Sequence, residues 1–332
     1  MPRYGFNFQW MFSYRGNPPK PADEKALDFL AQHGLDFVRI PTDYRFWTTD
    51  FEYTQPDEEV LKIIDGYLRA CRQRGIHMSL NLHRAPGYCI NRCQLERDNL
   101  WTDRVAQDAF VWLWRMFAER YRDVPADELS FDLLNEPPHP GLRGMTRKNH
   151  ANIMRRAIAA IREVDPHREI VLDGISGGNA AIPELADTGT THSTRGYMPA
   201  SLSHYKAPWA EAWIGNPDPP TWPGAKWDRK RWSRDTLEEF YRPWRKVEEK
   251  GTPIHIGEFG CYRRTPNDVA LAWLADLFGV FRGYGWGYAL WNFEGPFGII
   301  NHGRSGARVE RIDGYEVDRD LLDLFLDHRV KE

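Results

Sequence analysis

Short apolar runs typical of β-strands alternate with amphipathic stretches along the whole chain. The spacing of the runs predicts strands over Tyr4–Trp10, Phe37–Pro41, Ile76–Leu82, Leu129–Leu134, Glu169–Leu172, Gly196–His204, Pro253–Gly257 and Trp286–Leu290. The amphipathic stretches predict helices over Asp23–His33, Asp57–Arg74, Thr102–Arg122, Thr146–Val164, Arg234–Lys250, Asp268–Arg282 and Asp318–Arg329, with a short one near Asn179–Ala186.

This order of strands and helices predicts the fold class. Strand–helix units follow one another without a linker, which favours a single (β/α)₈ barrel with extended βα loops, one domain over residues 1–332. Such a barrel typically takes roughly 250 residues and grows through its loops. A doubly wound open sheet is the alternative that alternation alone permits.

Composition and charge narrow the class of partner. The chain has 332 residues, of which 42% are hydrophobic and 27% charged, and its formal net charge is -3 with both signs mixed throughout. That balance gives no broad electrostatic reason to expect a nucleic acid or an anionic membrane as a partner. The oligomeric state is open.

The N-terminus and the cysteines bear on the compartment. No basic segment followed by an apolar run opens the chain, and no stretch of about 18 apolar residues occurs. The chain as written therefore indicates a cytoplasmic protein. Four cysteines do not make a disulfide framework; free thiols are expected, with a bridge between Cys89 and Cys93 as the alternative.

The number of tryptophans is unusual. Of the 14, several lie among Pro, Gly and Asp in predicted loops, where a core role is a weaker explanation. An indole face can pack against the C–H face of a pyranose ring, so these positions favour a carbohydrate ligand. The loop that follows the sixth strand holds Trp209, Trp213, Trp222, Trp227 and Trp232. These tryptophans either contact sugar or pack against one another as the hydrophobic core of the loop itself.

Polar residues concentrate where the predicted strands end. In a (β/α)₈ barrel these ends share one rim, so residues far apart in sequence converge on one cleft. The candidates, in chain order, are Arg39, His83, Asn135, Glu136, His204, Tyr205, Glu258 and Trp291, with Glu294 as a third acidic residue.

Glu136 and Glu258 each follow a buried apolar strand, the fourth and the seventh. One such glutamate fits a structural ion pair equally well, but two at the same rim favour paired-carboxylate chemistry. Cleavage of a glycosidic bond needs one carboxyl group to give a proton to the leaving oxygen and another, ionised, to attack or to activate water. Asn135 is placed to bond a sugar hydroxyl, and Arg39 near Glu258 would keep that carboxylate ionised.

The sequence resembles family 5 of the glycoside hydrolases, the cellulase-like group. The segments that carry the resemblance are Leu134-Asn135-Glu136-Pro137, Ile256-Gly257-Glu258-Phe259-Gly260 and Ala289-Leu290-Trp291-Asn292-Phe293. The resemblance implies that Glu136 is the acid/base, that Glu258 is the nucleophile, and that configuration is retained. It further implies carboxyl groups about 5–5.5 Å apart.

The same resemblance implies roles for the other rim residues. Arg39 would support the nucleophile. His83 and Asn135 would bind sugar hydroxyls, His204 would lie beside the acid/base, and Trp291 would form a platform under the sugar.

The sixth strand departs from the family pattern. The family usually has a Tyr two residues after the His of this strand, with its hydroxyl on the nucleophile. Here the order is His204-Tyr205-Lys206, so Lys206 holds the expected position. Either Tyr205 reaches the nucleophile through a local bulge, or Lys206 replaces the Tyr.

The residues and the resemblance together predict a retaining hydrolase of β-1,4-linked glucans or gluco-oligosaccharides. A β-mannosidase or β-mannanase on short oligosaccharides is the alternative with the same mechanism, and transglycosylation is a variant of it. A non-catalytic carbohydrate-binding protein on the same scaffold is the alternative from another class. No metal-ligand spacing and no Gly-rich phosphate loop occur, so neither a metal nor another cofactor is expected.

Overall fold

The computed structural model describes residues 2–91 and 96–330. Within them, eight parallel strands alternate with helices, and the fold is a (β/α)₈ barrel, as the sequence predicts. The strands are β1 (Tyr4–Asn7), β2 (Phe37–Asp43), β3 (His77–Ala85), β4 (Leu129–Asp132), β5 (Glu169–Asp173), β6 (Thr191–Gly196), β7 (Ile254–Phe259) and β8 (Gly287–Leu290). The long helices are α1 (Glu24–Gln32), α2 (Glu58–Arg72), α3 (Arg104–Arg120), α4 (Arg147–Val164), α5 (Arg234–Glu248), α6 (Asn267–Tyr284) and α7 (Arg319–Asp327).

Shorter elements lie in the loops. They are the strands Tyr88–Cys89, Lys226–Trp227, Lys230–Arg231, Val309–Ile312 and Tyr315–Asp318, the helices Ile175–Gly178, Ala200–Ser203 and Glu211–Ile214, and the 3₁₀ turns Tyr44–Phe46, Leu142–Gly144 and Pro183–Thr188. The chain divides into two compact units: a larger one of Phe8–Thr194 and Val247–Pro253, and a smaller one of Met1–Asn7, Arg195–Lys246 and Ile254–Glu332. One domain over residues 1–332 stays a prediction.

In the larger unit, β2 to β6 pair in parallel in chain order. Phe37 lies opposite His77 at the start of the β2–β3 ladder, and Met78 lies opposite Leu129 in the β3–β4 ladder. The β4–β5 and β5–β6 ladders continue the sheet. Every residue of β2 and β3 is buried, as expected of parallel strands covered on both faces. The residues that follow β3 and β4 therefore share one edge of the sheet.

Helix starts in this unit follow from local sequence. Asp57 caps α2 by accepting a hydrogen bond from the Glu59 N–H. Thr146 and Asn149 form a reciprocal capping box at the start of α4. These caps fix where each helix begins and so set the length of the loop before it.

In the smaller unit, β8 pairs in parallel with both β1 and β7. Its core is aromatic: Phe259 packs edge-on against Phe278 and Phe281, with ring centroids 5.2 and 5.8 Å apart. Tyr288 and Phe325 extend this group of rings, their centroids lying 5.1 Å apart. Edge-to-face packing of this kind adds to the stabilisation from buried area. The core holds β7, and with it Glu258, in place.

The predicted sixth strand was wrong. The strand is Thr191–Gly196, and the predicted segment Gly196–His204 contains instead a short helix, Ala200–Ser203, that starts after Pro199. The observed strand reads Thr-His-Ser-Thr-Arg-Gly, and all but its first residue are buried. A buried strand made of polar residues has no apolar pattern, which is why the hydrophobic periodicity missed it.

The structure tests part of what the sequence predicts about membrane spans and cysteines. No helix of the described chain is long and apolar enough to cross a membrane. The cytoplasmic location stays a prediction. Cys71, Cys89 and Cys261 are buried free thiols, whereas Cys93 lies outside the described residues.

Gly196→Ala should destabilise the protein by about 1–3 kcal/mol, since overpacking a well-packed core costs that much. A Cβ at Gly196 would lie 2.5 Å from the Cβ of Phe259, with rings and methyls of α6 close by. Gly66→Ala is the control, because a Cβ at this position inside α2 meets nothing within 4 Å. It should stabilise by roughly 0.5–1 kcal/mol. Urea unfolding measures both, and equal shifts would contradict the packing argument.

Candidate active site

Glu136 lies four residues beyond the last residue of β4, and its side chain is half-buried. Its backbone has φ +48°, in the left-handed region. The Glu136 N–H donates to Asp173 Oδ2 at 3.0 Å, and the Glu136 carbonyl accepts a hydrogen bond from the Tyr88 hydroxyl at 2.6 Å. The peptide groups on both sides of this residue are therefore tied to buried side chains.

Arg39 organises the charges beside Glu136. Its Nε lies 2.6 Å from Asp132 Oδ2, its Nη2 donates to Asn135 Oδ1 at 3.0 Å, and the same nitrogen lies 3.7 Å from Asp173 Oδ2. All four side chains are buried. Buried charges persist when they are paired and hydrogen-bonded, and this group meets that condition. Asn135 is thus held in one orientation, whereas support of Glu258 by Arg39 stays a prediction.

His83 lies on β3 close to its carboxyl end and is buried. Its ring packs against Phe12 with centroids 4.5 Å apart, and its Nε2 lies 3.4 Å from Asn91 Nδ2. The larger unit therefore holds three of the predicted binding residues and the predicted acid/base, namely Arg39, His83, Asn135 and Glu136, and contacts are seen between Arg39 and Asn135.

Strand β7 continues to Phe259, past the predicted limit at Gly257. Glu258 therefore lies within the strand, one residue before its end. The residue is 4% exposed. Arg195 Nη2 lies 3.4 Å from Oε1, and the Tyr197 hydroxyl donates to Oε2 at 3.1 Å. Both oxygens therefore face a donor, one of them a full positive charge, and together the two donors stabilise negative charge on this carboxylate.

The hydroxyl on Glu258 corrects the sequence analysis. It belongs to Tyr197, directly after β6, and within the described chain neither Tyr205 nor Lys206 hydrogen-bonds Glu258. Tyr205 is buried, and the Lys206 ammonium lies over its ring, 5.1 Å from the centroid. Because the strand was predicted too late in the chain, the expected position of the Tyr fell on Lys206, nine residues after Tyr197.

His204 lies among the aromatic rings of the smaller unit. Its ring meets Tyr197, Trp213 and Phe297 edge-on, with centroids 5.1, 5.5 and 5.3 Å away. Ser203 Oγ lies 2.9 Å from His204 Nδ1, and burial lowers the pKa of His204 to about 4. The imidazole is therefore neutral at neutral pH. Its predicted place beside the acid/base stays a prediction.

Trp291 and Glu294 lie in the loop after β8. Trp291 is partly buried against the cluster that contains Tyr262 and Phe297, and its backbone N–H donates to the Phe259 carbonyl at 2.7 Å. Glu294 is exposed and accepts a hydrogen bond from Asn301 Nδ2 at 2.9 Å. The indole is thus fixed by packing, as a platform requires, while Glu294 lies on the surface of the loop.

The tryptophans after β6 divide into two groups. Trp209 and Trp213 are 57% and 53% exposed, beside the rings of Tyr262 and His204 respectively. Trp232, by contrast, is buried, so part of the loop does use indole as its own core. A group of exposed apolar rings often marks a binding surface, whereas a single exposed apolar residue needs no such explanation.

No group of three or more His, Cys, Asp or Glu side chains in residues 2–91 and 96–330 is arranged to hold a metal ion. The expectation of a cofactor-free reaction stays a prediction.

Comparison with known proteins decides the family. A family model described as cellulase (glycosyl hydrolase family 5) matches residues 3–295. The chain belongs to glycosyl hydrolase family 5. It is therefore an O-glycosyl hydrolase of a retaining family, as the sequence analysis predicts.

Relatives of this family 5 enzyme cover most of its length. Endoglucanase C of Acetivibrio thermocellus is 26% identical over 314 residues, which cover 87% of this chain and 89% of the relative. Cellodextrinase A of Ruminococcus flavefaciens is 26% identical over 276 residues, covering 79% and 75%. A solved structure described as a glycoside hydrolase is 56% identical, with a TM-score of 0.97 and coverage of 99% and 100%. Endoglucanase Cel5A of Thermotoga maritima, 22% identical with a TM-score of 0.76 and coverage of 97% and 96%, shares the fold.

The family pattern explains the sixth strand of this enzyme. The usual Tyr two residues after a strand-six His corresponds to Tyr197, which stands two residues after Arg195. The guanidinium of Arg195 contacts the nucleophile candidate directly. Sequence reasoning missed Arg195, Tyr197, Tyr88 and Asp173. The spacing Arg-x-Tyr was the available signal for the first two.

Tyr197→Phe should lower kcat/KM by roughly 10–100-fold, because a hydrogen bond to a charged group contributes about 1.5–3 kcal/mol. Tyr205→Phe is the comparison and should change kcat/KM by less than about twofold, since Tyr197 and not Tyr205 donates to Glu258. Steady-state hydrolysis of an aryl β-glycoside measures both. A larger loss in Tyr205→Phe than in Tyr197→Phe would instead support Tyr205 as the residue whose hydroxyl contacts the nucleophile.

Proposed function

We propose that this family 5 enzyme hydrolyses β-1,4-linked glucans and gluco-oligosaccharides by double displacement, with Glu258 as nucleophile and Glu136 as acid/base. The observation that carries the proposal is the environment of Glu258, whose two oxygens face Arg195 and Tyr197. A nucleophilic carboxylate must be held in one orientation, and the guanidinium and the hydroxyl donor each contact one of its oxygens.

In the first step a Glu258 oxygen attacks the anomeric carbon as the glycosidic C–O bond breaks. The Glu136 carboxyl gives its proton to the departing oxygen, leaving a glycosyl ester on Glu258 and a carboxylate on Glu136. In the second step Glu136 takes a proton from water, whose oxygen attacks the anomeric carbon and breaks the ester bond. Two inversions at one carbon give net retention.

Two observations support a β-glucan substrate. The relatives that cover most of this chain carry the names endoglucanase and cellodextrinase. Trp209 and Trp213 are exposed beside the aromatic group that includes Tyr197, and flat indole faces suit pyranose rings with equatorial hydroxyls. A β-mannoside would be cleaved by the same mechanism, and it differs from a β-glucoside in the configuration of one hydroxyl.

The test is a panel of cello- and manno-oligosaccharides of two to six units, assayed with the wild-type enzyme and Glu258→Gln. We expect cleavage of the cello series, and ¹H NMR of the first product should show the β-anomer. Glu258→Gln preserves the shape of the side chain and should abolish turnover.

Each other result removes one element of the proposal. Preferential cleavage of the manno series would replace the glucan assignment with β-mannoside hydrolysis. An α-anomer formed first would exclude double displacement. Binding of cello-oligosaccharides without any cleavage would support the non-catalytic alternative.

A further inference from the structure

Glu136 has a backbone conformation that few residues other than glycine adopt. Its φ of +48° lies in the left-handed region, which crowds the Cβ of an L-residue. Such a conformation is strained and persists only where the surroundings enforce it. The structure should therefore contain specific contacts that hold this backbone.

Two contacts do so, one on each side of the residue. Asp173, the last residue of β5, accepts from the Glu136 N–H at 3.0 Å, and Tyr88, in the loop after β3, donates its hydroxyl to the Glu136 carbonyl at 2.6 Å. Both contacts involve main-chain atoms, so they fix the direction in which the Glu136 side chain leaves the backbone. We refer to Tyr88 and Asp173 as the backbone clamp.

Both members of the clamp are themselves held rigidly. Tyr88 is fully buried, packs edge-on against Trp101 at 5.2 Å, and carries the Arg143 guanidinium over its ring at 5.5 Å. Asp173 is 2% exposed and lies 3.7 Å from Arg39 Nη2. Burial raises the pKa of Tyr88 well above its usual range, so the hydroxyl keeps the proton that it donates.

We propose that Tyr88 and Asp173 are positioning residues that direct the Glu136 carboxyl at the leaving-group oxygen by fixing its left-handed backbone. The inference rests on the proposed role of Glu136 as acid/base. In this proposal the backbone clamp acts only through Glu136 and contacts neither the substrate nor the nucleophile. Its loss should therefore impair proton donation and leave substrate binding unchanged.

This division of roles predicts a signature in leaving-group dependence. A phenyl leaving group needs a proton as it departs, whereas 2,4-dinitrophenolate leaves without one. A displaced general acid therefore slows only the first kind of substrate. Misplacing a catalytic group by about 1 Å costs up to about 10²-fold, and general acid catalysis contributes about 10²–10⁴-fold in total.

Tyr88→Phe tests the clamp, with Tyr67→Phe as its matched control. Tyr67 is also buried and also donates its hydroxyl to a backbone carbonyl, that of Lys20, so both variants lose the same kind of hydrogen bond. For Tyr88→Phe we expect kcat/KM on phenyl β-cellobioside to fall roughly 10–100-fold, and on 2,4-dinitrophenyl β-cellobioside less than about twofold. Tyr67→Phe should change neither by more than about twofold, although it should lower the thermal midpoint similarly.

Asp173→Asn probes the other side of the residue and decides the question if Tyr88→Phe does not fold. It replaces a charged acceptor by a neutral amide oxygen, which weakens the hydrogen bond from the Glu136 N–H. The same selective loss on the phenyl substrate is expected. Equal losses on both substrates, or no loss in either variant, would overturn the inference.

Glu136→Ala separates failure of this inference from failure of the proposed function. Under the proposed function it must show the steepest leaving-group dependence of all the variants. If it shows none, Glu136 is not the acid/base and the proposed function fails. If it shows the dependence while Tyr88→Phe and Asp173→Asn do not, the clamp alone is wrong.

Discussion

Glu258→Ala should lose roughly 10⁴-fold or more in kcat/KM, the largest effect expected of any single change, because no covalent intermediate forms without the nucleophile. Sodium azide should restore turnover of 2,4-dinitrophenyl β-cellobioside. The truncated side chain leaves space where the carboxylate was, and an azide ion there attacks the anomeric carbon from that face. The C–N bond forms as dinitrophenolate leaves, and one inversion gives the α-glycosyl azide.

Glu136→Ala should respond to azide with the opposite stereochemistry. With dinitrophenolate as leaving group, the glycosyl ester on Glu258 forms without acid catalysis and then accumulates, since no base activates water. Azide needs no base and attacks the ester from the other face, so the second inversion gives the β-glycosyl azide. ¹H NMR of the two products measures the assignment. A β-azide from Glu258→Ala would exchange the two roles, and absence of rescue in both variants would contradict the mechanism.

The positions of the two carboxylates beside strands could be predicted from sequence because each is associated with an apolar strand, whereas their roles follow from the resemblance to the family and stay predictions. Ile254 and Ile256 mark β7, and Phe131 marks β4, so the positions of Glu258 and Glu136 follow from hydrophobic patterning alone. The (β/α)₈ class follows from the same alternation. These features depend on local sequence, which is why no tertiary information was needed.

The partners of the carboxylates could not be assigned in that way. Strand β6 carries His192, Ser193, Thr194 and Arg195, all of them buried, so its burial rests on polar contacts and not on hydrophobicity. Hydrophobic patterning followed the apolar residues near Leu202 instead, and so placed the end of the sixth strand at His204, eight residues past its true end at Gly196. Arg195 was lost with the strand.

Long-range contacts account for the remaining omissions. Tyr88 reaches Glu136 across 48 positions, and Asp173 reaches it across 37. Neither partner has a motif of its own: one is a tyrosine in a loop, the other an aspartate at a strand end. Only the register of β3, β4 and β5 brings them together. The left-handed backbone of Glu136 likewise has no sequence signal, since the residue is not a glycine.

Acidification should destabilise this protein through histidines whose pKa is lowered by burial. Besides His204, described above, these include His150 on α4 and His192 on β6, both fully inaccessible. Burial lowers the pKa of His150 to about 3, with Arg147 and His192 adding to the effect, and burial lowers the pKa of His192 to about 4. The unfolded chain, with histidine pKa values near 6.5, binds more protons than the folded one between these limits. Stability is therefore retained above about pH 6.5 and lost as the pH falls toward 4.

The expected slope is about 1.4 kcal/mol per pH unit for each histidine, so roughly 3 kcal/mol per pH unit for the two between pH 4 and 6. His150→Leu removes one titrating group and should reduce the slope of unfolding free energy against pH by roughly 1.4 kcal/mol per unit, whatever it does to stability at pH 7.5. His139→Leu, which removes an exposed histidine, is the control and should keep the wild-type slope. Urea unfolding at half-unit steps from pH 4 to 7.5 measures it. An unchanged slope in His150→Leu would mean that His150 takes up its proton in the folded state, and that would require α4 to open around the buried ring.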